Sequence, residues 1–163
     1  MTATPTDAGH GLTDDEIRDL RAISAAIIPA SARYGVPGAD DDLIFADIVR
    51  SLERDRDDIR RALARLVELA GGRRFADLDP PARKDAAEAL RGERGAPVAA
   101  LTRVVLLCYY RDDRVMRSLD MEPRPPFPKG HEVEQGDWSL LDPVRGRKPF
   151  YRTAQSPSDG ATS

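Results

Sequence analysis

Apolar residues recur every three or four positions near the start of the chain, the spacing that places them along one side of an α-helix. The first run with this spacing contains Ile17, Leu20, Ile23, Ile27 and Ile28. Thr13 and Glu16 open it with the spacing of a capping box, in which each side chain accepts from the other residue's backbone N–H. Pro29 ends it, because proline has no N–H and its ring obstructs a further turn. The pattern predicts a helix that begins at Thr13 and stops before Pro29.

A second stretch of helical spacing extends from Leu43 to Ala70 and ends at Gly71-Gly72, a common C-terminal signal. The charged segment 53–58 interrupts it, so the pattern fits either one bent helix or two. Asp40-Asp41-Asp42 precedes the stretch, where a helix N-terminus favours negative charge. The three carboxylates could also suggest a metal site, but the glycine and terminal glutamate of a calcium loop are missing. We therefore favour a role in starting the helix.

Two further helices are predicted in the second half of the chain. Asp79 is placed to cap a helix whose first residues are prolines and which extends to about Leu90. Pro97 opens a final helix that extends to about Leu119. Within it, the segment 104–110 is apolar on all sides, so we expect this helix to lie at the centre of the bundle or beneath a partner.

The chain changes character after Met121, where prolines exclude a long helix. Large apolar residues nevertheless persist, which favours burial of this segment against its own bundle or against a partner. The predicted fold class is all-α, a small bundle of about four to five helices followed by an extended, proline-rich, irregular C-terminal tail. The predicted organisation is a disordered lead at 1–12, a helical bundle at 13–120, an interface tail at 121–152 and a disordered end at 153–163.

Composition narrows the classes of function. The chain has 163 residues, 40% apolar and 33% charged, which fits one globular domain. The net charge of −3 disfavours nucleic acid as a partner, since phosphate binding needs a concentrated basic surface. The longest apolar run, 104–110, is far shorter than the roughly 20 residues that span a bilayer. No signal peptide or twin-arginine motif is visible, so we expect a cytoplasmic protein, or a periplasmic one exported with its partner.

Residues suited to catalysis are sparse. His10 and His131 are the two histidines, and neither lies beside a recognisable nucleophile. Cys108 is the single cysteine and sits in an apolar helix, so we expect a buried thiol with a raised pKa. Glycine-rich phosphate-binding motifs are absent. The sequence predicts no catalytic residue, no cofactor-binding residue and no metal ligand on this chain.

Aromatic and arginine residues in the last third of the chain have the composition of a protein interface. We predict a partner interface from Tyr109, Tyr110, Phe127, Trp138, Arg145, Arg147, Phe150 and Tyr151. The alternatives are that the tail packs over its own bundle, or that the arginines bind nucleic acid, which the acidic whole disfavours.

Four short motifs, in this order, resemble the gluconate 2-dehydrogenase subunit 3 family. They are Leu20 to Pro29, Val36-Pro37-Gly38-Ala39-Asp40, Phe75-Ala76-Asp77-Leu78 and Tyr109-Tyr110-Arg111-Asp112. The resemblance covers roughly Leu12 to Arg152 and includes the tail segment from Gly136 to Pro143. Each motif alone is short, so the resemblance depends on their order and spacing.

The resemblance implies a role without chemistry on this chain. Members of the family are small subunits of dehydrogenases of the glucose-methanol-choline type, in which the large subunit holds FAD and the catalytic histidine. The small subunit would support that partner's folding, stability or export, with or without a cytochrome subunit. Two other hypotheses remain, a small enzyme or ligand-binding protein that uses His131, Tyr109 and Tyr110, and a homo-oligomeric scaffold.

Overall fold

The computed structural model describes residues 11–125, 127–130 and 134–148. The chain divides into two compact units, Met1–Arg124 and Pro125–Ser163. The regular elements of the described residues are helical, which confirms the all-α prediction, although the helices are more numerous than expected. They are α1 (Asp14–Ile27), α2 (Asp42–Arg50), α3 (Arg56–Leu69), α4 (Pro80–Gly92), α5 (Ala96–Tyr110), α6 (Asp113–Ser118) and α7 (Asp142–Arg145).

Helix α1 begins as its sequence predicts. The backbone N–H of Glu16 donates to Thr13 Oγ1 at 3.2 Å, and the N–H of Thr13 donates to Glu16 Oε2 at 2.8 Å. Two N–H groups that the helix itself cannot satisfy are thereby paired. The helix ends at Ile27, two residues before Pro29.

The stretch from Leu43 to Ala70 forms two helices rather than one bent helix. A turn of 3₁₀ helix, Glu53–Asp55, separates α2 from α3. Asp41 caps α2 by accepting from the N–H of Leu43 at 3.1 Å, and Asp42 forms an ion pair with Arg21 at 2.7 Å. These aspartates therefore start the helix and tie it to α1.

The predicted helix from Pro97 to Leu119 is wrong as a single element. It is divided at Arg111 into α5 and α6. The cause is Asp112, which has extended backbone angles and accepts from the N–H of Arg114 at 2.9 Å. A side chain that caps a new helix in this way replaces the backbone acceptor that a continuous helix would supply.

The core of the first unit is centred on the pairing of α5 with α3, and α2 also packs on α5. The buried residues of α5 are Ala100, Leu101, Val104, Val105, Cys108 and Tyr109. They face a buried stripe of α3 that contains Ile59, Ala62, Leu63 and Leu66. Burial raises the pKa of the Cys108 thiol, as predicted from its apolar surroundings.

A buried carboxylate joins α1 to the 3₁₀ turn Phe75–Asp77. Asp19 is fully buried, and its Oδ1 accepts from the N–H of Ala76 at 2.8 Å. Arg74 Nη2 lies 2.7 Å from Asp19 Oδ2, an ion pair without hydrogen-bond geometry. Burial raises the pKa of Asp19, whereas the Ala76 hydrogen bond and the charge of Arg74 act in the opposite direction. On the surface beside it, Arg18 pairs with Asp77.

A second joint connects the end of α1, the turn before α2 and the end of α5. The N–H of Ala39 donates to Ile28 O at 2.9 Å, and the Tyr109 hydroxyl donates to Pro37 O at 3.2 Å. A Cβ at Gly38 would lie 2.9 Å from the backbone nitrogen of Ala30. The two backbone segments approach too closely here for any residue larger than glycine at position 38.

The second unit is more regular than predicted where it is described. A 3₁₀ turn, Trp138–Leu141, leads directly into α7. Asp137 starts it by accepting from the N–H of Ser139 at 3.0 Å and from its hydroxyl at 2.6 Å. Pro143 lies in the first turn of α7, where proline is tolerated. The expectation of a wholly extended tail is therefore corrected for 138–145.

The Asp19 joint makes a prediction about stability. Asp19→Ala leaves the partly buried N–H of Ala76 without an acceptor and Arg74 without its countercharge, so we expect the free energy of unfolding to fall by about 1–3 kcal/mol. Asp19→Asn retains an acceptor oxygen of the same shape and should cost less. Urea unfolding followed by far-ultraviolet circular dichroism measures both. An equal loss in the two variants would mean that the charge, and not the hydrogen bond, stabilises the joint.

The same residue gives an expected pH dependence. Because the folded-state pKa of Asp19 is raised above 3.8, the folded chain binds its proton more readily than the unfolded chain. The stability of the wild type relative to Asp19→Asn should therefore increase as pH falls through the folded-state pKa towards 3.8. This gain should be lost as pH rises through the folded-state pKa. Unfolding of both proteins over a pH series tests this. A difference that is constant with pH would contradict it.

Candidate protein-interaction surfaces

The side of α5 that faces away from α3 carries large apolar residues in contact with solvent. We call Leu106, Leu107 and Tyr110 the α5 patch. Leu106 and Tyr110 are four residues apart and so lie on one side of the helix, with Leu107 next to them. Leu107 is 58% exposed, whereas Leu101 on the buried side is 1% exposed. A single helix therefore presents apolar groups both to the core and to water.

The α5 patch arises because residues 104–110 of α5 are apolar on all sides while the helices packed on α5 cover only part of them. A helix of this kind is normally buried on every side. Arg103, on the exposed side, is held by an ion pair with Asp55 at 2.7 Å, which keeps its long side chain directed towards the 3₁₀ turn before α3. Clustered exposed apolar residues on a folded protein are typical of an interaction site.

The two neighbouring tyrosines at the end of α5 have different environments. Tyr109 is 4% exposed and belongs to the core, and burial raises the pKa of its hydroxyl. Tyr110 is 53% exposed. Their rings meet edge to face, with centroids 5.3 Å apart and an interplanar angle of 89°. Tyr109 thus supports the ring of Tyr110 from beneath, and we keep only Tyr110 in the candidate surface.

A groove of about 610 Å³ lies between α1, α4 and α5. Its apolar residues include Ile23, Ile27, Leu90, Val98 and Leu101. A second, shallower depression of about 620 Å³ lies against the other side of the first turns of α5 and reaches Leu106 and Leu107. Val98 and Thr102 line both depressions. The groove and the α5 patch therefore form one continuous surface.

Basic side chains outnumber acidic ones on the border of this surface. Lys84 and Arg91 border the groove, Arg94 borders the shallower depression, and none of the three forms an ion pair with a residue that the structure describes. Among the carboxylates on the border, only Glu88 likewise forms no ion pair with a described residue. Arg83, which also lines the groove, is already engaged, because it donates to Ala76 O at 2.8 Å and Leu78 O at 3.1 Å.

Several other arginines of the first unit form ion pairs with nearby aspartates. Arg111 pairs with Asp47 at 2.5 Å and donates to Ser51 Oγ at 2.6 Å. Arg114 binds Asp41 at 2.6 Å and Asp112 at 3.0 Å. The hydrogen bonds from Arg114 hold the pKa values of both carboxyl groups below their usual range. These side chains fasten α6 and the end of α5 to α2, and so are not available to a ligand.

The second unit presents its own exposed apolar groups. Trp138 is 62% exposed, and Phe127, Leu140, Leu141 and Val144 are also exposed. Arg145 pairs with Asp142 at 2.7 Å, and Arg147 follows directly after α7. His131, Phe150 and Tyr151, which the sequence singled out, lie outside the described residues.

Sequence reasoning found part of this surface and missed the rest. The all-round apolar character of 104–110 pointed to α5, but the prediction named only the tyrosines and not Leu106 or Leu107. The groove was missed, because its residues come from three helices whose contacts no local pattern reveals. An unpaired lysine on α4 also carries no signal in sequence, since most surface lysines are solvated.

No group of three or more histidine, cysteine, aspartate or glutamate residues suited to a metal ion occurs within the described ranges. In those same ranges, no helix has both the length and the apolar character needed to cross a bilayer. Comparison with protein-family models, curated proteins and solved structures returns no match for the chain.

The two sides of α5 give a prediction. Leu101→Ala should lower the free energy of unfolding by about 2–5 kcal/mol, because it leaves a cavity beside α3. Leu107→Ala, the matched change on the exposed side, should alter it by no more than about 0.5 kcal/mol. Urea unfolding of the isolated chain measures both. A large loss for Leu107→Ala would show that this leucine is buried in solution and would remove it from the surface.

Proposed function

We propose that the chain is a non-catalytic accessory subunit that binds and stabilises, or helps to mature, the catalytic flavoprotein of an FAD-dependent dehydrogenase of the glucose-methanol-choline type. The observation that supports a binding role is the α5 patch, a set of apolar side chains that the chain's own helices leave uncovered. The nature of the partner rests on the resemblance of the four sequence motifs. FAD would be held by the partner, and this chain would carry no cofactor.

The two joints in the fold give a physical reason for the spacing of those motifs. Phe75 and Leu78 are buried around the turn that Asp19 holds, and Gly38 and Pro37 form the turn that receives Tyr109. Residues at such joints are constrained by close packing and hydrogen bonding. The resemblance therefore concerns the residues that build the scaffold, and a shared scaffold is what an accessory subunit of this family would need.

Such a subunit would act by mass action. A protein that binds the folded flavoprotein but not its unfolded chain stabilises it by RT ln(1 + [L]/Kd), about 2.7 kcal/mol when its free concentration is a hundred times Kd. No chemical step on this chain is required. Tyr110 and Trp138 have the character of binding anchors, because large aromatic residues commonly contribute most of the energy of an interface. Each anchor has exposed leucines on its own unit, Leu106 and Leu107 for Tyr110, and Leu140 and Leu141 for Trp138.

Co-expression with a flavoprotein of the glucose-methanol-choline type from the same genome tests the proposal. We expect a yellow complex to co-purify, and the flavoprotein expressed alone to be less soluble or depleted of flavin. Tyr110→Ala and Trp138→Ala should each weaken the complex by roughly tenfold or more, as measured by isothermal titration calorimetry. The control is Tyr34→Ala, which removes an exposed aromatic ring from the turn before α2, outside the proposed surface.

Three outcomes would count against the proposal. A flavoprotein that is soluble, loaded with flavin and fully active alone, and that ignores this chain, would remove the accessory role. Equal affinity for wild type and both alanine variants would leave a complex but reject the assigned anchors. A stable homo-oligomer of the isolated chain, lost in the same variants, would favour the scaffold hypothesis.

A further inference from the structure

The groove and the α5 patch together have the dimensions of a binding site for a helix. The apolar surface follows α5 from Val98 to Tyr110, about 18 Å at 1.5 Å per residue. That length corresponds to a little more than three helical turns. Helix α4 borders one side of the groove and α5 the other, and a helix laid between two helices can pack its side chains into the spaces between theirs.

The charged residues on the border of this surface favour a ligand of the opposite charge. Lys84, Arg91 and Arg94 form no ion pair with a described residue. Of the two glutamates on the border, Glu88 is unpaired and Glu93 is bound by Arg65. The chain as a whole has a net charge of −3, so the net positive charge of this border is opposite in sign to that of the molecule. Unpaired cations beside an apolar floor attract a ligand that is apolar on one side and acidic at its margins.

We propose that the groove between α1, α4 and α5, continued over the α5 patch, binds an acidic amphipathic helix of a partner protein. Its apolar stripe lies on Ile27, Val98 and Leu106. Carboxylates on its flanks meet Lys84, Arg91 and Arg94. A small anion would fill one depression and leave the α5 patch exposed, whereas a helix covers both. That the helix belongs to the flavoprotein rests on the proposed function, but the preference of the groove for an acidic helix does not.

Designed peptides test the preference directly on the full-length chain. One probe is a fluorescein-labelled peptide of four helical turns with leucine along one side and glutamate on both flanks. The second is the same peptide with lysine at the flanking positions. We expect fluorescence anisotropy to show roughly tenfold tighter binding of the glutamate peptide, with affinity that decreases as salt is raised.

Charge reversal locates the site. Lys84→Glu with Arg91→Glu should abolish or reverse the preference between the two peptides, because both changes lie on the border of the groove. Arg33→Glu with Arg73→Glu alters net charge equally at positions that line neither depression, and should preserve the preference. Circular dichroism of each variant confirms that the bundle is folded. Equal binding of both peptides by the wild type, no binding of either, or the same loss in the control pair would overturn the proposal.

A crosslinking experiment identifies the protein to which the bound helix belongs. A photo-reactive benzoyl-phenylalanine at Thr102, between the two depressions, should crosslink in the purified complex to an acidic helix of the flavoprotein. Binding of the glutamate peptide without any complex would retain the groove and reject the proposed function. The opposite result is also possible, in which the chain shows no preference between the peptides and the charge reversal leaves the affinity of the complex unchanged. That result would reject the groove as a helix-binding site and retain the proposed function.

Two other occupants give distinct results, and either would overturn the proposal. Binding to vesicles that contain phosphatidylserine, lost on charge reversal while neither peptide binds, would identify a lipid surface. Sedimentation showing a dimer of the isolated chain that the charge reversal dissociates would identify a second copy.

Discussion

The pairing of α5 with α3 is the constraint from which the rest of the first unit follows. Residues 104–110 of α5 are apolar on every side, yet the helices packed on α5 bury only part of them, including Val105 and Cys108. The small bundle has too few helices to enclose α5 completely. The remaining arc must meet water or another molecule, and the cost of leaving it in water provides the driving force for association. The stability of the fold and its capacity to bind thus originate in the same helix.

The signals that predicted the fold correctly are local ones. The capping box at Thr13, the cap at Asp79 and the proline after α1 each act within a few residues, so their geometry can be inferred from spacing alone. The division at Asp112 was missed because an aspartate that follows a long apolar run can either point to solvent from a continuous helix or cap a new one. Its choice depends on Arg114, which binds Asp112 and also reaches Asp41 on another element.

The candidate surfaces were less predictable for a related reason. Tyr109 and Tyr110 are identical and adjacent in sequence, and only the packing of α5 decides that one is buried and the other exposed. The groove depends on the distances among three helices, which periodicity does not encode. Likewise, nothing in the sequence distinguishes Asp19 from an ordinary solvent-exposed polar residue of α1. Its burial becomes evident only when the turn at Ala76 is placed against it.

The single tryptophan of the chain lies in the second unit, at the exposed position 138, whereas the aromatic residues of the bundle are tyrosines and phenylalanines. Indole emission is sensitive to the polarity of its surroundings, so this one chromophore acts as an intrinsic optical label on the C-terminal segment. The far-ultraviolet signal, in contrast, is dominated by the helices of the first unit. The two spectra therefore observe different parts of one polypeptide without any added dye. A blue shift of the emission that leaves the helical signal unchanged would register docking of the C-terminal segment alone.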